Sequence, residues 1–247
     1  MNQIIETILD HRSVRSFTQE RLTAEEIKLL VEAAQAASTS SYIQAYSIIG
    51  VSDHKLKEKL ADYAGNQSYV AENGHFFVFC ADLHRHEQMA YEKGVDIKAT
   101  IESTEAFMIA VIDAALAAQN LAIAAESMGL GICYIGGIRN HLKEVSEILE
   151  TPEYVLPLFG MAVGHPAQQT DKKPRLPLQS VYHENKYDGE SAIAKLAEYD
   201  ETISSYYRAR TDGIRTETWT DQITNRLRHP KRTFMKEFVE EKGFSKR

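Results

Sequence analysis

Cysteine is scarce in this chain: Cys80 and Cys133 are the two among 247 residues, and each sits inside an apolar run. That excludes a disulfide framework, and the missing CxxC and HExxH spacings leave a metal site without sequence support. A surplus of positive charge is also lacking, with 28 Lys and Arg against 35 Asp and Glu and a formal net charge of −7. The molecule as a whole would be repelled by nucleic acid and by anionic membranes, so neither is an expected partner, and any anion site must be a local basic cluster. No uninterrupted apolar run reaches the roughly 20 residues that a membrane span needs. The most apolar segment, 106–125, is broken by Asp113, Gln119 and Asn120 and reads as a buried core helix. The start of the chain has neither a basic n-region nor a small-residue cleavage site, which points to a cytoplasmic protein. No internal repeat suggests a solenoid. What is present is 43% hydrophobic content over 247 residues, enough for the core of one large or two small domains.

Ile4, Ile5, Ile8 and Leu9 have helical spacing and stop where the cationic stretch HRSVRSF begins at His11. Thr23 and Glu26 fit a capping box, and Leu22 with Ile27 fits a hydrophobic staple, so a helix follows with Ile27, Leu30, Val31 and Ala34 on its apolar face. Ser38, Thr39, Ser40 and Ser41 then favour a loop, because their hydroxyls compete for backbone hydrogen bonds. Residues 46–51 read as a strand, 53–64 as a helix closed by Gly65, and 76–80 as a strand apolar on both faces, central in a sheet. A long helix over 103–128 stops at Gly129, and strand 132–135, helix 140–149 and strand 154–163 follow. Pro157 places the last strand at an edge, at its own start, or beside a bulge. Composition changes after Gly164, giving a core of 1–165 and a C-terminal extension of 166–247 with helical patterns over 191–208 and near the end. This order fits a mixed α+β sandwich around one sheet better than a doubly wound fold.

Gly129 and Gly131 lie between a helix and a strand, the reverse of the dinucleotide fingerprint, and position 134 is Tyr. No nucleophile elbow or P-loop occurs. Gly136 and Gly137 follow a buried strand, where they make a turn or let a planar ligand approach the backbone. Gln67 and Tyr69 lie just past a helix cap, either in a turn or aimed into a pocket. Lys173 and Arg175 flank Pro174, which stiffens their loop. Arg210 and Arg215 bracket a polar turn, and the basic run at 225–232 suits a solvated face. At 11–15, a helix C-terminus alone attracts cations to its carbonyls. Three cations with Ser13 between them exceed that need and favour an anion site, a phosphate above all.

The motifs HRSVRSF (11–17), AASTSSYIQ (36–44), AGNQSYV (64–70), AAESMGLGICYIGGIRN (124–140), FGMAVGHP (159–166), KKPRLP (172–177) and YYRARTDG (206–213) carry a resemblance that extends over nearly the whole chain. In that order they resemble the bacterial FMN-containing NADPH oxidoreductases of the flavin reductase and oxygen-insensitive nitroreductase type, the Gram-positive NADPH-linked enzymes above all. The resemblance implies a nitroreductase-like α+β fold, with a mainly antiparallel central sheet flanked by helices, a helical extension and an intertwined homodimer. It implies FMN held by His11, Arg12, Ser13, Arg15, Ser38, Thr39, Ser40, Gln67, Tyr69, Ile135, Gly136, Gly137, Lys173 and Arg175. The serine-rich segment would come from the other subunit, and Thr39 departs from a serine run by one methyl. NADPH would be gripped at its 2′-phosphate by Arg210 and Arg215, with Lys173 nearby and Arg232 as a weaker third. The implied chemistry is hydride transfer to flavin and ping-pong delivery of two electrons to free flavin, quinones or nitroaromatics, with no side chain as general acid or base. A flavin-binding redox sensor with little turnover is the alternative.

Overall fold

The computed structural model describes residues 2–168 and 170–247. The chain divides into two compact units, Met1–Thr170 with Arg232–Arg247, and Asp171–Lys231. The elements begin with α1 (Gln3–Leu9), α2 (Ala24–Gln35), β1 (Tyr46–Val51), α3 (His54–Tyr63), β2 (His75–Asp82), α4 (His84–Glu92), α5 (Lys98–Ile101) and α6 (Thr104–Ser127). They continue with β3 (Gly131–Ile135), α7 (Leu142–Ile148), β4 (Val155–Gly164), α8 (Gly189–Ala194), α9 (Leu196–Arg210), α10 (Trp219–Leu227) and α11 (Met235–Glu241).

In the first unit the strands pair antiparallel in the order β1-β2-β4-β3. Every residue of β2 is buried, as its two-sided apolar pattern requires. Its side chains alternate: Phe77, Phe79 and Ala81 enter a core shared with α2 and α6, while Phe76, Val78 and Cys80 enter one shared with α3 and α7. Helices therefore cover both faces of the sheet. Both cysteines are buried and free. The expected sandwich is present, and among the described residues the parallel relation in it is a single bridge, Ser13 to Ile132.

Local grammar explains the principal helices. Thr23 Oγ1 accepts the Glu26 N–H at 3.2 Å while Glu26 Oε2 accepts the Thr23 N–H at 2.7 Å, closing the capping box of α2. Ser103 caps α6 through the Ala106 N–H at 3.1 Å. Length and composition alone would let α6 cross a membrane. Its face of Ala110, Ala114, Ala117, Ala118, Leu121 and Ala125 is instead buried by protein, as a core helix.

Of the three placements open to Pro157, the bulge is the one adopted. Strand β4 is internal, and the pairing steps from Phe79 with Phe159 to Cys80 with Pro157, leaving Leu158 as the extra residue. Two features differ from the sequence expectation. Helices α4 and α5 were not anticipated. The helix expected over 140–149 is a 3-10 turn, Gly136–His141, followed by a shorter α7. The chain end returns to the first unit: Phe244 is fully buried against Phe107 and Tyr154, and Arg247 pairs with Glu102 at 2.6 Å. The second unit has its own small core of Tyr199, Ile203 and Tyr207, with Leu176 and Trp219 against it.

Candidate functional site

After α1 the chain runs along β3. The Val14 N–H donates to the Ile132 carbonyl at 2.9 Å, and Phe17 bridges to Pro166. The approach is close enough that a Cβ at Gly131 would lie 2.7 Å from Val14 Cγ2, so glycine is required there. Val14 and Phe17 are both buried in the core on the α3 side. His11 Nδ1 meets Glu126 Oε1 at 2.6 Å, and Arg12 pairs with Asp10. Two of the three cations that suggested an anion site are thus answered by the chain's own carboxylates, Asp10 from the adjoining sequence and Glu126 from a distant one. Arg15 is exposed, and its charge lies close to Tyr69 and Cys133.

Tyr69 belongs to a polar cluster assembled from three segments. Its hydroxyl donates to Gln67 Oε1, and the Gln67 amide donates to the Ala64 carbonyl. Burial first, and the neighbouring Cys133 next, push the Tyr69 phenol up, with Arg15 opposing them; the hydroxyl keeps its proton and remains a donor. Gly137 packs into this cluster. A Cβ there would stand 2.3 Å from the Ala64 carbonyl oxygen and 2.6 Å from Gln67 Nε2, so any side chain would expel the loop that carries Gln67 and Tyr69. Ile135 is buried beneath, and Gly136 faces the guanidinium of Arg139, which donates to the Leu158 carbonyl. Burial, and then the like charge of Arg232, pull Arg139 below the usual guanidinium range. Arg232 is itself held by Asn140 Oδ1 at 2.8 and 3.0 Å, in the first unit, whereas Arg210 and Arg215 belong to the second.

The segment Ser38–Thr39–Ser40 lies in a different layer. Its neighbours Ala37 and Ala45 pack into the core on the α6 side of the sheet, while Tyr69 packs on the α3 side. A residue that sequence reasoning treated only as an interruption holds it there. Asp113, fully buried in α6, accepts the Ser40 N–H at 2.9 Å and the Ala45 N–H at 3.0 Å. Between these anchors Ser41, Tyr42 and Gln44 have φ of 48°, 60° and 56°, left-handed conformations that non-glycine residues rarely adopt.

In the second unit, Tyr199 donates to the Pro174 carbonyl at 3.0 Å and tethers the loop that carries Lys173 and Arg175 to α9. Lys173 Nζ lies 5.2 Å and the Arg215 guanidinium 4.1 Å from the centre of the Tyr207 ring. Arg210 donates to the Tyr206 hydroxyl at 2.8 Å. Three of the expected phosphate-binding cations are therefore gathered on two adjacent tyrosines, neither of which had been given a role. The i to i+4 spacing of Tyr206 and Arg210 was the available signal.

A donor-rich cluster of guanidinium, amide and phenol beside a glycine pair suits the carbonyls and ring nitrogens of a flavin, and the cations of the second unit suit phosphate. The sheet, its two helical layers and this cluster define a flavoenzyme-like α+β class, and the chain belongs to the nitroreductase family. Residues 8–165 match that family and 173–247 match its C-terminal domain. The chain is 64% identical to the FMN reductase (NADPH) of Bacillus subtilis (strain 168), with both chains covered over their full length. It is 48% identical to an NADPH-dependent oxidoreductase of Staphylococcus aureus (strain MSSA476) over 96% of each chain. Among solved structures it is similar to the NfrA1 nitroreductase of B. subtilis, with a TM-score of 0.97 and 63% identity, covering 99% of this chain and 100% of that one.

Proposed function

We propose that this chain is an NADPH-dependent reductase carrying FMN, which passes two electrons in ping-pong fashion to free flavins, quinones or nitroaromatics. The observation that carries this is the convergence of Arg15, Gln67, Tyr69 and Gly137, from three distant segments, into one donor cluster at the end of β3. When bound, FMN supplies the hydride and electron chemistry; the protein's part is to bind, orient and tune. Gln67 and Tyr69 orient the ring, and Ile135, Gly136 and Gly137 keep the backbone close to its reactive edge. Arg15, with His11, Arg12 and Ser13 beside it, serves the cofactor's anionic end, and Lys173 and Arg175 are the cations that the second unit offers to phosphate. Ser38, Thr39 and Ser40 complete the pocket from the partner of a homodimer. Support for that division is that one chain places them in the α6 layer and Gln67 and Tyr69 in the layer across the sheet. Arg210, Arg215 and Lys173 take the 2′-phosphate of NADPH. No side chain has to move a proton as general acid or base, and the setting is cytoplasmic.

Purified protein should be yellow, and anaerobic NADPH should bleach it. Colourless protein that fails to take up added FMN overturns the proposal. Bound FMN with negligible NADPH oxidation for every acceptor overturns the enzymatic half and leaves a flavin-binding sensor.

A further inference from the structure

The fork of Arg215 is not free. Its Nε and Nη2 donate to one and the same oxygen, Glu217 Oε2, at 3.1 and 2.9 Å. This pair of donors is the edge with which a guanidinium grips a phosphate. The face of the same guanidinium lies on Tyr207, which is 7% exposed and therefore a fixed platform.

Glu217 is held in place as well. The Ser204 hydroxyl donates to the Thr216 carbonyl at 2.8 Å, and Asp200 accepts the Thr220 N–H at 2.9 Å, pinning 216–220 to α9 from both sides. The Arg215 N–H donates to Thr211 Oγ1 at 2.9 Å. Arg215 and Glu217 thus meet on a braced turn, with Lys173 over the same tyrosine ring and Arg210 on the next one.

Resting on the reading of this cluster as the 2′-phosphate site, we infer that Glu217 is a stand-in anion: it occupies the Arg215 fork until the 2′-phosphate displaces it, and so sets how strongly NADPH is preferred over NADH. The charges favour the exchange. A phosphate monoester carries about −1.5 to −2 near neutral pH, against −1 for the carboxylate, and three cations face it rather than one. NADH has no 2′-phosphate and leaves the Arg215–Glu217 pair intact, so the competition affects one nucleotide only. Tyr207 is the positioning residue that keeps Arg215 and Lys173 on one ring whichever anion is bound.

Glu217→Gln keeps the size of the side chain and one acceptor but removes the competing charge. Exposed ion pairs are weak, so the expected change is modest: KM for NADPH falls about two- to five-fold with kcat unchanged, and KM for NADH does not move. The same variant should tighten binding of adenosine 2′,5′-bisphosphate by the same factor, measured by calorimetry without turnover, and leave AMP binding unaltered. In an Arg215→Ala background the substitution should have no further effect. If Arg215→Ala weakens NADPH and NADH equally, the phosphate site itself is misassigned. If Arg215→Ala is selective for NADPH but Glu217→Gln leaves KM for NADPH unchanged or raises it, the carboxylate is a brace and the stand-in role is overturned.

Discussion

At the scale of single residues, Asp113 has the largest consequence for its size. It stands in an alanine-rich helix face where an uncharged residue would pack, yet both of its oxygens are used by backbone N–H groups at the two ends of one loop. Three left-handed residues lie between those ends, and each such conformation costs about 1 kcal/mol or more for a residue with a side chain. Two charge-assisted hydrogen bonds offset that strain and fix the segment that presents Ser38, Thr39 and Ser40. Asp113→Asn keeps the shape but turns an NH2 donor against one of the N–H donors. Leaving a buried N–H such as that of Ala45 unpaired costs about 1–3 kcal/mol. The variant should melt at a lower temperature and also lose FMN on dialysis, whereas Leu30→Ala, in the core on the same side of the sheet, should lower the melting temperature while retaining FMN. Full FMN occupancy in Asp113→Asn would separate the loop from the pocket.

At the scale of elements, the junction of β3 with its 3-10 turn is the tightest contact in the site. Gly137→Ala would drive a methyl into the Ala64 carbonyl and the Gln67 amide, and because one of these is backbone the loop after α3 must move. We expect weaker FMN binding with the sheet intact, seen as a loss of yellow colour at unchanged far-ultraviolet circular dichroism. Tight FMN binding by the alanine variant would show that the loop position is unimportant. The elements around this junction were legible in sequence where burial imposed a strong period: α2 by its capping box, α6 by its alanine face, β2 by its unbroken apolar run. Helices α4 and α5 were not, because α4 buries only Ala90 and α5 is a single turn that buries Ile101. The glycine pair was legible as a turn or an approach to a ligand, but which residue it approaches is settled by packing across some 70 positions. Likewise the excess charge at 11–15 was visible, while Glu126, which answers His11, lies at the far end of α6. Local rules carry no information about such partners.

At the scale of the whole molecule, α6 has a second apolar face. Met108, Ile112 and Leu116 recur every four residues and are 52%, 50% and 45% exposed. Helix α1 also packs on α6 and leaves Ile4, Ile5, Ile8 and Leu9 at the surface, with none of its described residues buried. A seven-residue helix that buries nothing is marginal on its own account. Exposed apolar stripes of this kind mark an association site, and a two-fold interface would place the α6 stripe against the other copy. The same helix holds the Ser38–Ser40 loop through Asp113, one residue from Ile112, so association through α6 would deliver that loop to the partner's Gln67 and Tyr69. Ile112→Glu puts a charge in the middle of the stripe while leaving the buried alanine face untouched. Sedimentation should shift from a dimer near twice the chain mass of 27.9 kDa to a monomer, and FMN should be lost together with the dimer because half of each pocket departs. A monomer that keeps stoichiometric FMN would mean that the pocket is complete within one chain. A dimer unaffected by the charge would place the interface on another face.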